Sequence, residues 1–272
     1  MAILVIKNND YPTNISICIV IYNLSIDSSP SFNSLYKQLP ARKIFVFDNS
    51  TSLYIKNKNI ELSKKYKINY QKTNNNGLGV TFNLAINKAH SNCEFIGFFD
   101  QDTNIPGDYI QKFYYQINNR KIKGDVFVPY VKTNNKRLSP IFKTKIIGNK
   151  KNNRIKSAIN SGMLVRTKVF SRIKFNEELF LDYIDHDFFR KLNMDGTVIN
   201  VLPVVLKQDF SDNEKNLQKS LKRFESYWND TKIYCKIYGN HNYFIAYKHA
   251  LKLSLRYKSK FFLEKVILNE KG

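Results

Sequence analysis

Two aspartates that flank a glutamine, Asp100 and Asp102, follow directly after the apolar run "EFIGFF" at residues 94–99. A carboxylate at the end of a buried strand is costly unless a cation meets it, and positions i and i+2 of an extended chain share a face. The pair suits one hard divalent cation, Mg²⁺ or Mn²⁺, which takes oxygen ligands and leaves room for substrate phosphates. The structural alternative is that Asp102 caps a short helix starting near Pro106.

A second acidic cluster lies at residues 181–189, where Asp182, Asp185 and Asp187 alternate with apolar residues and with His186. Acidic residues at a helix start commonly pair with the helix dipole, but three exceed what a helix start needs. One of these carboxylates would act as a general base if it faces a cleft. His186 is a candidate metal ligand, although a single histidine between two aspartates is more often a solvated helix residue.

The stretch "TNNNGLGVTFN" at residues 73–83 resembles a glycine-rich phosphate loop. It is not a dinucleotide fingerprint, because Phe82 stands at the third glycine position, and it lacks the Gly-Lys-Ser/Thr of a P-loop. A helix that begins near Val80, after Gly77 and Gly79, would still present N–H groups to an anion. A tight turn from strand to helix explains the glycines equally well.

These clusters need a scaffold, and the apolar pattern predicts one. Short continuous apolar runs indicate buried strands at residues 15–22, 43–50 and 94–100, and residues 67–73 predict a further short strand. Apolar residues at spacings of three and four predict helices at residues 31–39 and 80–91. This alternation predicts an α/β fold, Rossmann-like, with a mostly parallel sheet and helices on both faces.

Polar pairs follow three of the predicted strands, at Tyr22–Asn23, Asp48–Asn49 and Asp100–Asp102. Ligands of such sheets bind beyond the carboxyl ends of the strands. We therefore expect these side chains to gather at one edge of the sheet.

The rest of the chain is less regular. Residues 132–156 are polar and basic and predict a mobile loop, and residues 157–170 predict a strand that leads into a helix start. Residues 176–196 predict a loop and then a helix that ends at a glycine, and residues 197–206 predict another strand. Residues 211–272 contain 13 Lys and Arg against 6 Asp and Glu, with many aromatics, and predict two or three amphipathic helices.

Length and composition limit the classes of protein. The 272 residues, 43% of them hydrophobic, are enough for one large α/β domain with an appendage. No apolar run approaches the ~20 residues of a membrane-spanning helix, and the N-terminus lacks the features of a signal peptide. Three separated cysteines, Cys18, Cys93 and Cys235, fit neither a zinc site nor a disulfide framework, which favours a reducing cytosol.

The formal net charge of +22 comes from 35 Lys and only 9 Arg. Base readout and bidentate phosphate clamps favour Arg, whereas a Lys-rich surface suits anionic headgroups or phosphorylated substrates. An AT-rich genome would give the same richness in Lys, Asn and Ile without any functional cause.

Together these motifs resemble the inverting family 2 glycosyltransferases of GT-A fold, and within them a bacterial rhamnosyltransferase-like branch. The segments that carry the resemblance are "IVIYN" (19–23), "IFVFDNS" (44–50), "NNNGLGVTFNLAINKA" (74–89), "FFDQDTNIP" (98–106), "INSGMLV" (159–165) and "LFLDYIDHDFFRKLNMDG" (179–196). The resemblance implies a GT-A catalytic domain at residues 1–210, with a nucleotide-sugar half at about 1–104 and an acceptor half at about 105–210. A helical, basic C-terminal extension at 211–272 follows.

The resemblance also implies a role for each motif residue. Asp185 falls on the catalytic base, and Asp100 and Asp102 fall on the metal-binding pair. The residues implied in donor binding are Tyr22, Asn23, Asp48, Asn49, Asn76, Gly77, Asn83 and Asp100. The implied supporting residues are Asp187, Lys191 and Gln208. Two of these depart from the family pattern, since Lys191 stands where Arg is usual, with Arg190 beside it, and Gln208 stands where His is usual.

These roles imply a single displacement with inversion, in which Mg²⁺ or Mn²⁺ stabilises the leaving diphosphate and Asp185 takes the proton from the acceptor hydroxyl. The branch implies a dTDP-linked deoxysugar such as rhamnose, or a UDP-hexose, and a lipid-linked saccharide acceptor used for bacterial O-antigen or capsule. Two other classes stay open, namely a basic nucleic-acid-binding α/β protein without catalysis and a metal-dependent phosphodiesterase or nucleotidyltransferase. Under the favoured interpretation no nucleic acid partner is expected.

The basic, aromatic tail suggests how such an enzyme reaches a lipid-linked acceptor from the cytoplasm. Between residues 217 and 268, Lys and Arg are interleaved with Phe224, Tyr227, Trp228, Tyr243, Phe244, Leu251, Leu255, Phe261 and Phe262. A basic amphipathic helix binds an anionic membrane surface through its apolar face and its charge. The expected location is therefore peripheral, at the inner face of the cell membrane. The alternative is that these aromatics pack on the catalytic domain.

Overall fold

The computed structural model describes residues 14–89, 93–119, 122–133, 136–147, 150–208, 216–239 and 241–268. Its strands are β1 (Ile15–Ile21), β2 (Ile44–Asp48), β3 (Asn69–Lys72), β4 (Phe95–Asp100), β5 (Thr103–Asn104), β6 (Val126–Thr133), β7 (Lys136–Ser139), β8 (Ile141–Ile147), β9 (Lys150–Ser157), β10 (Met163–Arg166) and β11 (Ile199–Gln208). Its helices are α1 (Pro30–Leu35), α2 (Leu53–Tyr66), α3 (Leu78–Ala89), α4 (Tyr109–Tyr114), α5 (Ile184–Asp195), α6 (Leu217–Tyr238), α7 (His241–Tyr257) and α8 (Phe261–Leu268).

One nine-stranded sheet dominates the fold, in the order β3-β2-β1-β4-β10-β6-β11-β5, with β7 paired to β6. β1 pairs in parallel with β2 and β4, and β2 pairs in parallel with β3. β10 lies antiparallel between β4 and β6, and β11 is parallel to β6. The predicted α/β class is confirmed, and the four strands predicted at the start of the chain lie side by side; β1, β2 and β4 are buried, whereas β3 is the partly exposed edge strand.

Helices cover both faces of this sheet. Successive residues of a strand point to opposite sides, so each strand contributes side chains to both layers. In β1, Cys18 and Val20 belong to one hydrophobic cluster, which includes residues of α3 and α5. Ile17, Ile19 and Ile21 belong to the other cluster, which includes residues of α1 and α4. A continuous apolar run is therefore needed, since both faces of the strand are buried.

The prediction of a loop at residues 132–156 is wrong. β7 lies in this region, and β8 and β9 pair antiparallel as a separate two-stranded sheet. In β8 and β9, 8 of the 15 residues are Lys, Asn or Thr, so the alternation of polar and apolar residues on which strand prediction depends is weak. Phe142 and Ile155 are paired across the two strands, and both contact the larger core cluster.

Helix α2 is absent from the sequence-based predictions for a similar reason. Its buried residues include only one apolar side chain, Leu62, beside Asn59 and Ser63. This polar face stabilises the fold, since the fully buried Asn59 donates a hydrogen bond to Asp48 Oδ2 at 2.9 Å. The predicted helix at 80–91 begins earlier, at Leu78, and its last two predicted residues lie outside the described part of the chain.

The C-terminal residues form three helices, as predicted. Phe224, Trp228 and Phe262 are buried in a hydrophobic core that these helices share with one another. α6 also packs against the α/β region, since Tyr234 belongs to the core cluster around α3 and α5. The predicted domain boundary at residues 210 and 211 lies outside the described residues. Within the described ranges, none of the helices has the length and apolar character needed to span a membrane.

Candidate active site

A cavity of about 1360 Å³ lies at the carboxyl ends of β1 and β4. It brings together polar residues from separate motifs, namely Tyr22, Asn49, Asp100, Asp102, Asp185 and Gln208. The cavity also reaches the C-terminal helices, through residues of α6 and α7. The sheet edge, the acidic helix α5 and the tail therefore line a single space.

The Asp100–Asp102 turn is held by hydroxyl groups behind it. Ser31 Oγ donates to the carbonyl oxygens of Asp100 and Thr103, and the Asp100 N–H donates to Ser161 Oγ at 3.1 Å. Gln101 Oε1 accepts from the Tyr22 N–H at 2.7 Å, which ties the turn to the end of β1. The capping alternative does not hold, since the short helix α4 begins at Tyr109 with Asp108, not Asp102, at its N-cap.

Gln208 lies against both carboxylates. Its position follows from the antiparallel pairing of β11 with β5, which places Gln208 opposite Thr103. Gln208 Nε2 donates to Asp100 Oδ2 at 3.0 Å and is 3.3 Å from Asp102 Oδ1. Gln208 Oε1 is buried and accepts no hydrogen bond from the residues that the structure describes.

The surroundings of Asp100 disfavour its ionised form. Burial, the neighbouring charge of Asp102 and the charge of Asp185 raise the pKa of Asp100 to about 6, whereas the hydrogen bond from Gln208 lowers it. A carboxyl group with such a pKa is half protonated near pH 6. A bound cation would restore its ionised form at neutral pH.

A divalent metal fits these residues only with help from a ligand. Among the described residues, no three His, Cys, Asp or Glu side chains are grouped to hold a metal. The two aspartates and one amide supply oxygen donors of the type that Mg²⁺ and Mn²⁺ prefer, and a flip of the Gln208 amide would turn its Oε1 toward the carboxylates. Mg²⁺ is commonly bound by one or two carboxylates together with substrate phosphates, which is the pattern that this donor set would serve.

Asp185 lies in the first turn of α5 and faces the cavity. Burial raises the pKa of Asp185, and the charge of His186 and backbone N–H groups act in the opposite direction. A raised carboxylate pKa makes a better general base at neutral pH. His186 and Arg190, one turn apart on the same helix, also line the cavity. His186 Nδ1 lies 2.9 Å from Ser157 Oγ, so its described contact is structural.

Two of the predicted supporting residues pair with each other, away from the cavity. Asp187 is fully buried, forms an ion pair with Lys191 at 2.7 Å and accepts from the Tyr238 hydroxyl at 2.7 Å. Neither residue lines the cavity, whereas the adjacent Arg190 does. Asp187 thus joins α5 to α6 through Tyr238, Lys191 balances its charge, and Arg190 of the same helix lines the cavity.

The predicted donor residues at the ends of β1 and β2 divide into two groups. Tyr22 and Asn49 line the cavity. Asp48 lies behind them, where its carboxylate accepts from the Ser50 N–H, the Asn59 amide and the Tyr70 hydroxyl.

Asn23 belongs to the second group, since its side chain accepts from the N–H groups of Thr51 and Ser52. Asn23 has a φ of 49°, a left-handed conformation that asparagine tolerates. Asp48 and Asn23 therefore fix the shape of the loops that carry Tyr22 and Asn49.

The predicted asparagine-glycine segment is placed differently from expectation. Asn75 and Leu78 line the cavity, but Asn76 and Gly77 do not. Gly77 has a φ of 108°, and a Cβ on Gly79 would lie 2.2 Å from the carbonyl oxygen of Asn176. The glycines are thus required by a turn and by close packing, as in the structural alternative.

Asn83 does not reach the cavity. Its amide donates to the Phe175 carbonyl at 3.0 Å and to Glu177 Oε1 at 2.8 Å, and its Oδ1 accepts from the Phe175 N–H at 3.1 Å. This side chain therefore fastens α3 to the segment that leads to α5. Its predicted contact with the donor finds no support in this arrangement.

The sequence analysis did not anticipate the wall that the C-terminal helices contribute. This wall comprises Lys222, Arg223, Ser226, Tyr227 and Tyr234 of α6 and Asn242 and Ile245 of α7. Asn160, next to the Ser161 that holds the Asp100 turn, also lines the cavity. The pairing of tail and catalytic residues depends on contacts distant in sequence, for which local patterns carry no signal.

Solved structures of similar shape define the class of this fold. The chain superposes on S. aureus TarS with a TM-score of 0.56 and 21% identity, covering 81% of this chain and 38% of that one. It superposes on GalNAc-T7, solved with UDP, GalNAc and Mn²⁺, with a TM-score of 0.61 and 13% identity, covering 94% of this chain and 57% of that one. These likenesses define the fold as a GT-A architecture, and this chain covers 38% of that TarS chain.

The sequence comparisons give the family. The model of glycosyl transferase family 2 matches residues 16–174, and the chain belongs to that family. A dTDP-rhamnosyl transferase, RfbF of Shigella flexneri, is 30% identical over 203 residues, which are 70% of this chain and 67% of the relative. Family membership favours the transferase over the nucleic-acid-binding and phosphodiesterase classes that the sequence left open.

Proposed function

We propose that the protein is a metal-dependent, inverting glycosyltransferase that moves a deoxysugar such as rhamnose from a dTDP-linked donor to a saccharide acceptor. A UDP-linked hexose is the alternative donor. The observation that carries the proposal is that Asp100, Asp102 and Asp185 line one cavity, close enough for the charge of Asp185 to raise the pKa of Asp100. The similarity to a dTDP-rhamnosyl transferase favours the deoxysugar.

Each residue has a task in this reaction. Asp100 and Asp102, with Gln208, would hold Mg²⁺ or Mn²⁺, which stabilises negative charge on the leaving diphosphate when it is bound. Tyr22 and Asn49 line the part of the cavity next to this cluster and would contact the nucleotide. Asp185 takes the proton from the acceptor hydroxyl as that oxygen attacks the anomeric carbon from the opposite face. The anomeric configuration is inverted in this single step.

The donor and the metal are tested with a panel of sugar nucleotides. Release of dTDP or UDP from dTDP-rhamnose and from UDP-hexoses, each with Mn²⁺, Mg²⁺ or EDTA, identifies the donor by its slow hydrolysis. Asp102→Asn should nearly abolish turnover without a loss of thermal stability, because it removes a ligand charge and no core volume. Full turnover in folded Asp102→Asn protein, or in EDTA, would contradict the metal assignment.

The base is tested on the same assay. Asp185→Asn should lose turnover but keep nucleotide binding, since the base acts on the acceptor or on water. Asp195→Asn is a matched control, because Asp195 lies at the other end of α5 and pairs with Arg172.

Asp187→Asn should lower thermal stability, because Asp187 is buried against Lys191 and Tyr238. If Asp187→Asn loses turnover while Asp185→Asn keeps it, the base is assigned two residues too early.

We also propose that the acceptor is lipid-linked and that the enzyme docks on the inner, anionic face of the cell membrane, where O-antigen or capsule precursors are assembled. Of the aromatic tail residues, Phe224, Trp228 and Phe262 are buried in the helical core, so they are not the docking surface. Helix α7 exposes large apolar residues instead, namely Phe244 (63%), Ile245 (53%), Leu251 (49%) and Leu255 (72%).

The charge of α7 supports an anionic partner. Its 17 residues include Lys248, Lys252 and Arg256 and no Asp or Glu. Each basic side chain near an anionic surface contributes about 1 kcal/mol, and the apolar side chains add burial in the interface. Asn242 and Ile245, in the first half of this helix, line the cavity. A docked α7 would therefore bring the cavity to the membrane surface, where a lipid-linked acceptor is held.

Vesicle co-sedimentation tests this docking. The wild type should bind vesicles that contain phosphatidylglycerol, should bind neutral phosphatidylcholine vesicles weakly, and should lose binding in high salt. Leu255→Glu should reduce binding at least tenfold, because burial of a leucine contributes about 1.5–3 kcal/mol. Leu53→Glu, at an equally exposed leucine (69%) of α2, is the matched control. Equal binding by Leu255→Glu and the wild type would exclude α7 as the docking helix.

A further inference from the structure

Residues 180–182, which lead into the helix that carries Asp185, are held by one buried carboxylate of the C-terminal extension. Asp230 of α6 is 1% exposed. Its Oδ1 accepts from the Phe180 N–H at 2.8 Å, and its Oδ2 accepts from the N–H groups of Leu181 and Asp182 at 2.8 and 2.7 Å. A carboxylate that accepts several backbone N–H bonds makes strong, charge-assisted contacts and fixes the path of the chain.

The same segment contacts the donor side of the cavity on its other flank. The Leu78 N–H donates to the Phe180 carbonyl oxygen at 2.7 Å. A Cβ on Gly77 would lie 3.2 Å from Phe180 Cα, so the two backbones are in close contact. Residues 180–182 therefore lie between the start of α3 and the middle of α6.

Two further contacts join this segment to α6. Arg223 makes a bidentate ion pair with Asp182, at 2.5 and 2.8 Å. Tyr183 stacks between Tyr227 and Tyr234, with ring centroids 5.9 and 4.7 Å apart and interplanar angles of 22° and 20°.

Tyr183 also has a φ of 62°, and its side chain does not cap α5. A left-handed conformation in a bulky residue persists only where the surroundings determine it. Here α6 supplies those surroundings, two residues before Asp185.

We propose that Asp230 is a positioning residue, which sets the base Asp185 at the cavity by fixing the backbone of residues 180–182. The C-terminal extension then completes the active site as well as serving the membrane. The inference rests on the proposed role of Asp185 as the base. It assigns Asp230 no contact with substrate or metal, so its effect should fall on turnover and not on nucleotide binding.

The test uses Asp230→Asn in the full-length protein. Asparagine keeps the volume but replaces one oxygen by an N–H₂ group, so at least one of the three backbone N–H groups loses its acceptor. Glu225→Gln is the matched control on the same helix, because Glu225 pairs at the surface with Lys265 of α8. Arg223→Gln is a second variant, at a half-exposed position (51%), and perturbs the same segment without a buried change. Because Arg223 also lines the cavity, its kcat is interpreted together with the hydrogen exchange of residues 180–182.

Three measurements separate positioning from general damage. Amide hydrogen exchange of residues 180–182 should accelerate in Asp230→Asn and not in Glu225→Gln. Calorimetry with UDP or dTDP and Mn²⁺ should give an unchanged dissociation constant. The kcat for hydrolysis of the preferred sugar nucleotide should fall about 10- to 100-fold, the loss expected when a reacting group is displaced by about 1 Å. Arg223→Gln should show faster exchange at residues 180–182 and a smaller fall in kcat than Asp230→Asn.

The outcomes are distinguishable. Faster exchange with wild-type kcat in Asp230→Asn would overturn the inference, as would unchanged exchange. If Asp230→Asn does not fold, unchanged kcat in Arg223→Gln would overturn it. Equal losses of kcat and nucleotide affinity would also overturn it, because they show a structural role for the whole site. A wild type that turns over no sugar nucleotide would instead refute the proposed function, and with it the role of Asp185.

Discussion

Asp100→Asn should stabilise the protein in the absence of metal, although it removes a functional group. Burial and the charges of Asp102 and Asp185 raise the pKa of Asp100 to about 6, so its ionised form is disfavoured in the fold. Asparagine has nearly the same shape and keeps an oxygen that accepts the hydrogen bond of Gln208. The substitution therefore removes an electrostatic cost without creating a cavity.

The magnitude follows from the pKa. At about 1.4 kcal/mol for each pKa unit, the rise from 3.8 to about 6 corresponds to about 3 kcal/mol at neutral pH. Asp100 is partly exposed, so solvent screening reduces this figure, and we expect a gain of about 1–2 kcal/mol. For a chain of this length, about 2–4 °C per kcal/mol gives a rise in Tm of about 2–8 °C.

The effect should depend on pH in a defined direction. The folded protein holds a proton on Asp100 up to about pH 6, whereas the unfolded chain loses it near 3.8. The unfavourable contribution of Asp100 is therefore absent below pH 3.8, grows as pH rises from 3.8 to about 6, and is constant above that. The difference in stability between Asp100→Asn and the wild type should be largest at pH 7 and should shrink as the pH falls toward 4.

Thermal denaturation at pH 5, 6, 7 and 8, with EDTA and with Mn²⁺ plus UDP, tests these statements. The wild type should gain stability from Mn²⁺ and UDP, whereas Asp100→Asn should start higher in EDTA and respond little. Asp195→Asn, which breaks an exposed ion pair with Arg172, should show neither behaviour. An Asp100→Asn protein that is less stable than the wild type in EDTA at pH 7, or that responds fully to Mn²⁺ and UDP, would refute the reasoning.

Two further predictions concern the same region. Gln208→Ala should weaken Mn²⁺–UDP binding about tenfold or more. The loss should be larger at pH 6 than at pH 8, because the Gln208 hydrogen bond lowers the pKa of Asp100 and its removal leaves more of this carboxyl group protonated at pH 6. Equal affinity of variant and wild type at both pH values, measured by calorimetry, would contradict this prediction. Gly79→Ala should destabilise the fold by about 1–3 kcal/mol in thermal denaturation, since its Cβ would lie 2.2 Å from the Asn176 carbonyl oxygen. Gly107→Ala is the control and should leave stability unchanged, because a Cβ at Gly107 would have nothing within 4 Å. Equal melting temperatures for the two glycine variants would contradict this prediction and would show that the start of α3 shifts to accommodate the added Cβ.

The strands at the centre of the sheet were predictable because the apolar pattern of a buried strand is contained in the strand's own sequence. A strand buried on both faces must be apolar at every position, and β1, β2 and β4 show this in their sequences. Elements with a polar buried face lack this apolar pattern. Helix α2 is an example, since its buried Asn59 donates a hydrogen bond to Asp48. The hairpin of β8 and β9 is a second example, because its few core residues are separated by Lys and Asn.

The site was predictable to a different extent. Asp100 and Asp102 were singled out because carboxylates at the end of a buried strand need a cation, and Asp185 was singled out through the family resemblance; all three line the cavity. Asp48 and Asn83 fit a ligand-binding motif equally well in sequence, but their hydrogen bonds are made within the fold. Sequence does not separate a polar residue that binds a ligand from one that holds the loop beside it.

The acidic residues around the cavity can be sorted by how the fold satisfies them. Asp187 pairs with Lys191, and Asp230 accepts three backbone N–H groups, so each is balanced within the chain. Asp100 and Asp102 instead both lie beside one neutral amide, from Gln208, and burial together with the charge of Asp102 raises the pKa of Asp100. Keeping Asp100 ionised at neutral pH is therefore costly for folding. In the proposed function a divalent cation from solution would offset that cost, because it favours the ionised form of the carboxyl group.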